Sequence, residues 1–588
     1  MLYWLLTAAG SVLCAVLLVW TRFPLLVNQN FPFDLYSFIQ GFAYFFLEGL
    51  VVATFLTYLV FHASLALRSL AYVLSSLYLA IIVTHILSLL FGAELISPLA
   101  LENIGHIDFL LTPAFLLPIV GVALSAVASI YFMERNVKKT KYKRKRRSKW
   151  LLPLVGILFA SCGGVFFQTE PSKNRMLQAI NLSYTSPIHH FMKSLSLALN
   201  HKSNLRELTA AELKSSRELG LNLEADRRND PTKEKSTKNR QYNIIVFFVE
   251  GLSARITALY HSNRSSLTPN LHNIKSELSL IDNYYNHTAA SYRGIVGQLC
   301  SFFPRDSLLS TRHLLKVRAY AKHCLPQILG DAGFETFFWN AHASHDAKID
   351  ELMTTLKFDH VLNAQKIKQE LLHGEELALG EALSDHQFFE SSIKFLAKRR
   401  KNEKPFFLAT YNLQTHANFD TKEEGIKFGD GNNNTLNRIH NFDHQFGKFW
   451  RYFKNSSFYT NTVLVFTADH AAYSELSFME AVSRDLDYQG LIIDRIPFAI
   501  YHPTERFRTN NNCVFSSIAL APTVLDIVDI DHTSNKTLGR SVFQKPCPIK
   551  AAATYAGLPY LIKDGKVMTK ANSTGAQLEL SLIENLAY

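Results

Sequence analysis

The chain of 588 residues is too long for one ordinary domain, and its 48% hydrophobic content predicts a protein that lies partly in a membrane. Its formal net charge of +12 is concentrated in residues 134–149, which hold ten Lys or Arg and one Glu, so the rest of the chain carries only +3. A local basic cluster beside apolar segments is typical of a cytoplasmic loop. Nucleic acid is therefore not a predicted partner.

Apolar segments, each close to the roughly 20 residues that cross a bilayer, fill the N-terminal part of the chain. They are residues 2–20, 36–61, 70–91, 109–133 and 150–167. No small-residue cleavage site follows the first segment, so we interpret it as a span rather than as a signal peptide. The basic loop belongs in the cytoplasm, which leaves the N-terminus in the cytoplasm and everything after the fifth span outside. We expect a five-helix transmembrane domain over residues 1–168.

Residues 169–240 form a predicted connector with amphipathic and charged parts. Helical patterns cover residues 187–199 and 209–219, and a charged stretch follows from 226 to 240. The apolar face of the first pattern is suited to packing on the polar domain or on the membrane surface.

The predicted catalytic domain spans residues 241–588, where apolar runs alternate with helical patterns. The predicted strands are 243–250, 335–339, 406–411, 462–466 and 498–501, and the predicted helices are 323–331, 380–398, 437–453 and 518–528. This alternation predicts an α/β domain with helices on both faces of a sheet. In such sheets the ligand site lies beyond the carboxyl ends of the strands.

Carboxylates and imidazoles stand at several of these strand ends. Glu250 ends the first strand, and Asp469 and His470 follow the strand that begins at residue 462. Because a buried carboxylate needs a partner or a metal, we expect these three side chains to bind one divalent cation. Mn, Zn, Mg and Ca all fit such a ligand set. His416 and His342 follow two other strands and are candidates for substrate binding.

A small-residue segment, residues 287–300, supplies the candidate nucleophile. Its hydroxyls are Thr288 and Ser291, and an apolar, helix-like run follows them. The start of a helix favours an anionic group. We predict that Ser291 attacks a phosphorus or sulfur centre and also serves as a fourth metal ligand, with Thr288 as the alternative nucleophile. Arg293 is a weaker candidate for substrate binding.

The polar part of the chain contains Cys300, Cys324, Cys513 and Cys547. No CxxC motif or His/Cys ligand cluster occurs, which argues against a structural zinc site. Outside the cytoplasm these cysteines are disulfide candidates. The pairs that are close in sequence are favoured, although four cysteines allow three connectivities.

Motif-like stretches extend through the chain after the spans. They are residues 243–250, 267–271 (Leu-Thr-Pro-Asn-Leu), 405–416, 437–449, 466–470 (Phe-Thr-Ala-Asp-His) and 539–543 (Gly-Arg-Ser-Val-Phe). Together with the five spans, they resemble the lipoteichoic acid synthases, the lipid A phosphoethanolamine transferases and the glucan phosphoglycerol transferases. These are sulfatase-like membrane enzymes of the alkaline phosphatase superfamily.

The resemblance implies a five-span α-helical bundle joined to an extracytoplasmic α/β domain of alkaline phosphatase/sulfatase type. It implies a bacterial inner-membrane enzyme whose catalytic domain is periplasmic. The expected reaction moves phosphoglycerol or phosphoethanolamine from a phospholipid donor to a glycan or lipid-linked acceptor, through a covalent Ser291 intermediate. The alternatives are a phosphodiesterase or sulfuric ester hydrolase of the same fold, and a membrane-anchored protein with a decayed site.

The sequence departs from the family at the nucleophile, where most relatives have threonine. Residues 290–300 best match the glucan phosphoglycerol transferase pattern WTIAGMVASQC, which puts Ser291 in the place of that threonine. The x-P-x-R motif that sulfatases need after their nucleophile does not follow Ser291. The resemblance therefore favours phosphoryl transfer over sulfate ester cleavage.

Overall fold

The computed structural model describes residues 210–223, 242–304, 323–342, 349–399, 403–417, 425–485, 487–508, 510–530, 537–555, 558–569 and 574–586, with residues 419 and 421 and scattered positions between 13 and 192. The chain divides into two compact units, residues 1–200 with 474–486 and residues 201–473 with 487–588. Among the described residues, no helix combines the length and the apolar character that crossing a membrane requires.

The predicted spans and the basic loop lie almost wholly outside the described residues, so the five-span bundle stays a prediction. In the first unit, the fully buried carboxylate of Glu48 accepts hydrogen bonds from the Tyr78 hydroxyl at 3.2 Å and from the Ile188 backbone N–H at 3.0 Å. Two of these residues come from predicted spans and the third from the predicted connector. This contact therefore joins three separate parts of the sequence.

Strands and helices alternate through most of the second unit. The strands are β1 (Asn243–Val249), β2 (Ser279–Leu280), β3 (Tyr284–Tyr285), β4 (Glu335–Asn340), β5 (His360–Leu362), β6 (Phe406–Tyr411), β7 (Thr462–Ala468), β8 (Phe498–Tyr501), β9 (Phe515–Ser516), β10 (Lys550–Tyr555), β11 (Leu558–Lys563) and β12 (Lys566–Met568). The α-helices of the described chain from residue 210 onward are α1 (Ala210–Glu218), α2 (Pro269–Ile274), α3 (Ser291–Cys300), α4 (Leu325–Asp331), α5 (Ile349–Thr355), α6 (Ala364–Glu370), α7 (Asp385–Lys398), α8 (Asn434–Asn455), α9 (Leu476–Ala481), α10 (Leu520–Ile527) and α11 (Thr574–Leu586).

The central sheet has seven strands in the order β2-β8-β7-β1-β6-β4-β5. The strands from β7 through β5 run parallel, as the alternating pattern predicts, and β8 pairs with β7 in the antiparallel direction. The direction of β8 was not predictable, because the composition of a four-residue apolar strand carries no information about its orientation. The α/β fold predicted for this part of the chain is confirmed.

The strands at the centre of this sheet are covered on both faces. Every residue of β1, β6 and β7 is buried, which explains why these strands read as continuous apolar runs. On one face, the ring of Phe247 lies 5.1 Å from Phe449 of α8 and 5.7 Å from Phe389 of α7, measured between centroids. Packing of this kind keeps the strand ends rigid, and that rigidity positions the groups that follow them.

A second, three-stranded antiparallel sheet contains β10, β11 and β12. The helix α1 and the residues after it belong to its core, although they fall inside the predicted connector. The cluster comprises Leu219, Leu221, Phe303, Ile518, Leu538, Ala552, Leu561, Leu580, Leu582, Ile583 and Leu586. Lys550 also joins Glu218 of α1 to Glu579 of α11 through ion pairs of 2.8 and 2.6 Å. Residues 210–221 are therefore packed against the C-terminal sheet.

Two disulfides join the cysteines of the second unit, Cys300 with Cys324 and Cys513 with Cys547. These are the pairs that lie close in sequence. The first connects the end of α3 to the residue that caps α4, and it closes a separation of 24 residues.

We expect only two of the six cysteines, Cys14 and Cys162, to react with a thiol reagent when the unreduced protein is denatured. Reduction should expose the other four and lower the free energy of unfolding by about 3 kcal/mol per bond, since each bond restricts the unfolded chain. Mass spectrometry of alkylated peptides measures this directly. Labelling of Cys300 or Cys513 without reduction would contradict the pairing.

Candidate active site

Neighbouring parallel strands bring the predicted metal ligands together. Val249 at the end of β1 pairs with Ala468 at the end of β7, so Glu250 and Asp469 are the next residues on two adjacent strands. The Nε2 atom of His470 lies 3.4 Å from Glu250 Oε1 and 3.5 Å from Asp469 Oδ2. All three side chains are fully buried, and their candidate ligand atoms lie within 4.8 Å of one another.

The unsatisfied atoms of this cluster fit a divalent cation. Within the described part of the chain, no hydrogen bond reaches Glu250 Oε1 or Asp469 Oδ2, although both are buried. The other oxygen of Asp469, Oδ1, accepts the backbone N–H groups of Gly251 and His470 at 2.9 and 2.8 Å. His470 Nδ1 lies 2.7 Å from the carbonyl oxygen of Ala471, which leaves Nε2 as the ligand atom. Two carboxylate oxygens and one imidazole nitrogen therefore face the same point.

The charges of the cluster are strongly coupled. Burial raises the pKa of Asp469, and the Glu250 carboxylate raises it further. Burial alone would also raise the pKa of Glu250, but the imidazoles of His416 and His470 outweigh it and lower this pKa. Burial favours neutral His470, yet the two carboxylates dominate and raise its pKa. Protons and a cation therefore compete for this group of residues, and metal binding would release protons.

Ser291 is the first residue of α3 and faces the cluster. Its hydroxyl donates a 2.8 Å hydrogen bond to Glu250 Oε2 and lies 3.4 Å from His470 Nε2. Ala290 before it has φ 75° and ψ 127°, an uncommon conformation for a residue with a Cβ atom. Thr288 is fully buried and bonds at 3.4 Å to the backbone oxygen of Ala289. Of the two predicted hydroxyls, the one at residue 291 contacts the carboxylate cluster.

The helix α3 lies directly against the backbone of Asp469 because Gly294 has no side chain. A Cβ atom at that position would lie 2.1 Å from the Asp469 carbonyl oxygen. One turn further along, the buried side-chain amide of Gln298 donates to the carbonyl oxygens of Ala468 at 2.9 Å and Asp469 at 3.3 Å. These contacts set the distance between Ser291 and the end of β7, and the sequence analysis did not identify them.

The far end of α3 is held by the Gly-Arg-Ser-Val-Phe stretch. Ser301 ends the helix with φ 55°, and its backbone oxygen accepts the N–H of Leu538 at 2.8 Å. The Ser301 hydroxyl accepts the N–H of Gly539 and donates to the Ile518 carbonyl, both at 2.8 Å. This motif therefore has a structural role in anchoring the helix that begins at Ser291.

His416 lies near the cluster on the loop after β6. Its Nδ1 atom is 2.6 Å from the Ala417 carbonyl oxygen, which leaves Nε2 to interact with a ligand. The ring of Tyr473, which the sequence analysis did not identify, lies 5.9 Å from His416 and 4.9 Å from His470, measured between centroids. Tyr473 therefore stands beside both imidazoles. In the sequence, the feature that indicates this location is its position three residues after His470, on the same strand-end loop.

The other two predicted substrate residues differ in how they relate to the cluster. The ring of His342 stacks on Tyr411 at 5.3 Å and 6°, and the Tyr411 hydroxyl donates to Glu250 Oε2. His342 is therefore linked to the cluster through Tyr411. Arg293 is 2% exposed, and its guanidinium lies 5.2 Å from the centre of the Tyr292 ring.

A buried polar network holds the backbone of Glu250. Asn412 Oδ1 accepts the Glu250 N–H at 2.9 Å, and the Thr415 hydroxyl donates to the Glu250 carbonyl at 2.7 Å. The Asn412 side-chain amide donates to Asp385 Oδ1 at 2.9 Å. The loop that carries His416 therefore also fixes the end of β1. Asp385 Oδ2 is buried and has no hydrogen bond within the described part of the chain.

Asp385 makes the folded protein sensitive to pH. Burial raises its pKa to about 7, although the hydrogen bond from Asn412 opposes this effect. The folded state then binds a proton that the unfolded chain releases above about pH 4, so the stability contributed by this group is lost as the pH rises toward about 7. We expect Asp385→Asn to flatten this decline in the free energy of unfolding, as measured by chemical unfolding at several pH values. The exposed Asp331→Asn is the matched control and should leave the decline unchanged.

Comparison with known proteins agrees with this fold. The sulfatase family profile matches residues 242–530, which include the whole cluster. This segment therefore matches the sulfatase family. The resemblance drawn from the sequence motifs is thereby confirmed.

The curated relatives of this domain include a lipoteichoic acid synthase. Lipoteichoic acid synthase 1 of Bacillus subtilis (strain 168) is 24% identical over 218 residues, which cover 35% of this chain and 32% of the relative. The chain therefore aligns with about a third of the length of that curated relative.

Solved structures share the fold at low identity. The lipoteichoic acid synthase LtaP from Listeria monocytogenes is 17% identical with a TM-score of 0.50, and the match covers 64% of this chain and 96% of that one. The lipooligosaccharide phosphoethanolamine transferase A (EptA) from Neisseria meningitidis is 16% identical with a TM-score of 0.50, and the match covers 91% and 98%. At this level of identity, the two structures show that the chain shares their fold.

Proposed function

We propose that the protein transfers a phospholipid headgroup, phosphoglycerol or phosphoethanolamine, to a cell-envelope glycan through a covalent intermediate on Ser291. The observation that carries this proposal is the contact of the Ser291 hydroxyl with a buried cluster of two carboxylates and an imidazole. The named activities of the lipoteichoic acid synthase and the phosphoethanolamine transferase support a reaction of this class.

The first half-reaction forms a bond between Ser291 Oγ and phosphorus and breaks the bond from phosphorus to the diacylglycerol oxygen. A divalent cation bound by Glu250, Asp469 and His470 would lower the pKa of the Ser291 hydroxyl and offset charge on the phosphoryl oxygens. Ser291 points its proton at Glu250 Oε2, which accepts this proton when Oγ attacks and returns it when Oγ leaves in the second half-reaction. Its place at the start of α3 also puts backbone N–H groups and the positive helix end beside the phosphoryl group.

His416 is suited to protonate the departing diacylglycerol oxygen. Its Nδ1–H donates to the Ala417 carbonyl, so Nε2 faces the leaving group and gives it a proton from the imidazolium form, which leaves neutral His416 with a free Nε2 lone pair. In the second half-reaction His416 accepts a proton from the acceptor hydroxyl, which attacks phosphorus and breaks the bond to Ser291 Oγ. We also assign His342, which stacks on Tyr411, and the buried Arg293 to substrate binding.

A lipid donor requires the domain to lie at a membrane. We propose the arrangement of the sequence analysis: a five-span domain over residues 1–168, a connector over 169–240 and a catalytic domain over 241–588. The spans hold the catalytic domain on the periplasmic side of the bacterial inner membrane, close to the phospholipid headgroups. The acceptor, a glycan or a lipid-linked molecule, then reaches Ser291 from the periplasm.

The test is mass spectrometry of the purified full-length protein after incubation with phosphatidylglycerol, phosphatidylethanolamine or both. We expect a phosphoglycerol or phosphoethanolamine adduct on the peptide that contains Ser291, and none in Ser291→Ala. Release of the headgroup to water without transfer to a glycan would instead indicate a phosphodiesterase. Release of sulfate from a sulfate ester, with no adduct from either lipid, would indicate a sulfuric ester hydrolase. Absence of any turnover would indicate a decayed site.

A further inference from the structure

We infer that Tyr411 is a positioning residue that fixes the orientation of the Glu250 carboxylate. It keeps Oε2 toward Ser291 and Oε1 toward the metal position. The inference deepens the proposed function, because it rests on the same metal site. It does not depend on which headgroup or acceptor the enzyme uses.

The two carboxylate oxygens of Glu250 have different surroundings. Oε2 accepts hydrogen bonds from two hydroxyl groups, those of Ser291 and Tyr411. Oε1 accepts none from the residues that the structure describes and faces His470 Nε2 at 3.4 Å. A carboxylate that could rotate freely would exchange these oxygens, so something must distinguish them. The Ser291 hydroxyl cannot do this alone, because the proposed reaction removes its proton.

Tyr411 is well suited to hold this orientation throughout the reaction. Its ring is 1% exposed, and it lies on β6 at the level of Phe248 of β1, two residues before Glu250. The stack on His342, at 5.3 Å and 6°, restricts the ring on one side. The phenolic hydroxyl of Tyr411 keeps its own proton, because, among the protein hydroxyls, the proposed reaction removes a proton only from Ser291. One of the two hydrogen bonds to Oε2 therefore persists when Ser291 is esterified.

A carboxylate that is already held in this orientation does not lose further rotational freedom when a cation binds to Oε1. Residues that orient metal ligands typically change metal affinity or activity by about 10- to 100-fold when they are removed. Tyr411→Phe deletes only the hydroxyl and leaves the ring and its stack on His342. We expect it to weaken metal binding within this range and to lower kcat, while the KM for the phospholipid donor changes little.

The experiment measures Mn²⁺ binding to the metal-stripped full-length protein by calorimetry, without any lipid. The matched control is Tyr501→Phe, at a tyrosine that is also 1% exposed and donates to the Tyr459 backbone oxygen at 2.8 Å. Tyr501 pairs with Leu464, five residues before Asp469 on β7. We expect wild-type affinity in Tyr501→Phe and about 10- to 100-fold weaker binding in Tyr411→Phe. Thermal unfolding of the metal-free proteins checks that each variant is folded.

Equal Mn²⁺ affinity in wild type and Tyr411→Phe would overturn the inference, as would an equal loss in both tyrosine variants. Failure of the wild type to bind Mn²⁺, Zn²⁺ or Mg²⁺ would overturn it together with the metal site. A Tyr411-dependent affinity in a protein that transfers no headgroup would support the inference and refute the proposed function. The metal-binding measurement therefore tests the inference, and the transfer measurement tests the proposed function independently of it.

Discussion

Ser291→Ala is expected to reduce headgroup transfer by about 10⁴-fold or more, because removal of a nucleophile eliminates the covalent route. The variant should still bind the divalent cation, since Glu250, Asp469 and His470 remain. Transfer of a fluorescent headgroup by the purified full-length protein measures the first quantity, and calorimetry measures the second. Measuring transfer and cation binding in the same variant distinguishes loss of the nucleophile from disruption of the metal site.

Thr288→Ala is the control for this experiment, because it removes the other hydroxyl of the same segment. That hydroxyl is buried against the backbone of Ala289, and we expect the variant to retain most of its transfer activity. Transfer that survives in Ser291→Ala and disappears in Thr288→Ala would move the nucleophile to residue 288.

Gly294→Ala is the second change for which we expect a large effect. The new Cβ atom would lie 2.1 Å from the Asp469 carbonyl oxygen, so α3 must move away from β7. Overpacking of this kind costs about 1–3 kcal/mol, and a shift of about 1 Å in a reacting group can slow a reaction about 100-fold. We therefore expect lower stability and about 100-fold slower transfer. Chemical unfolding and initial rates measure the two effects.

Gly330→Ala is the matched control, since Gly330 also lies in a helix, α4. Apart from its own helix backbone and chain neighbours, no described atom lies within 4 Å of the position of its Cβ atom. Alanine favours the helix by up to about 1 kcal/mol relative to glycine, so this variant should be as stable as the wild type or more so, with unchanged transfer. A similar loss of activity in both glycine variants would show that the close approach of α3 to Asp469 is not its cause.

Much of the α/β fold after residue 241 was predictable from local sequence. The boundaries of β6 and β8 agree with the predicted strands, and β1 and β7 differ only at their C-terminal ends. The reason is physical: strands buried on both faces must be apolar throughout, and such runs are visible in a sequence. The same logic drew attention to Glu250, Asp469 and His470, because polar groups directly after a buried strand need a partner.

The positions of other groups could not be predicted. Tyr411, Asn412 and Thr415 contact Glu250 across more than 160 residues of sequence, and no local pattern records such a contact. In the sequence, Gly294 and Gln298 look like ordinary helix residues. Their roles depend on the packing of that helix against the end of β7.

The alternation of strands and helices, the residue types at the strand ends and the pair of candidate hydroxyls are properties of the local sequence. They depend on burial and on the period of each element, which act over a few residues. The Ser291 hydroxyl faces the carboxylates, while that of Thr288 faces its own backbone, and this difference arises only in the folded chain. It depends on the register of β1 against β7 and on the approach of α3 to both. Both are set by packing between residues far apart in the chain.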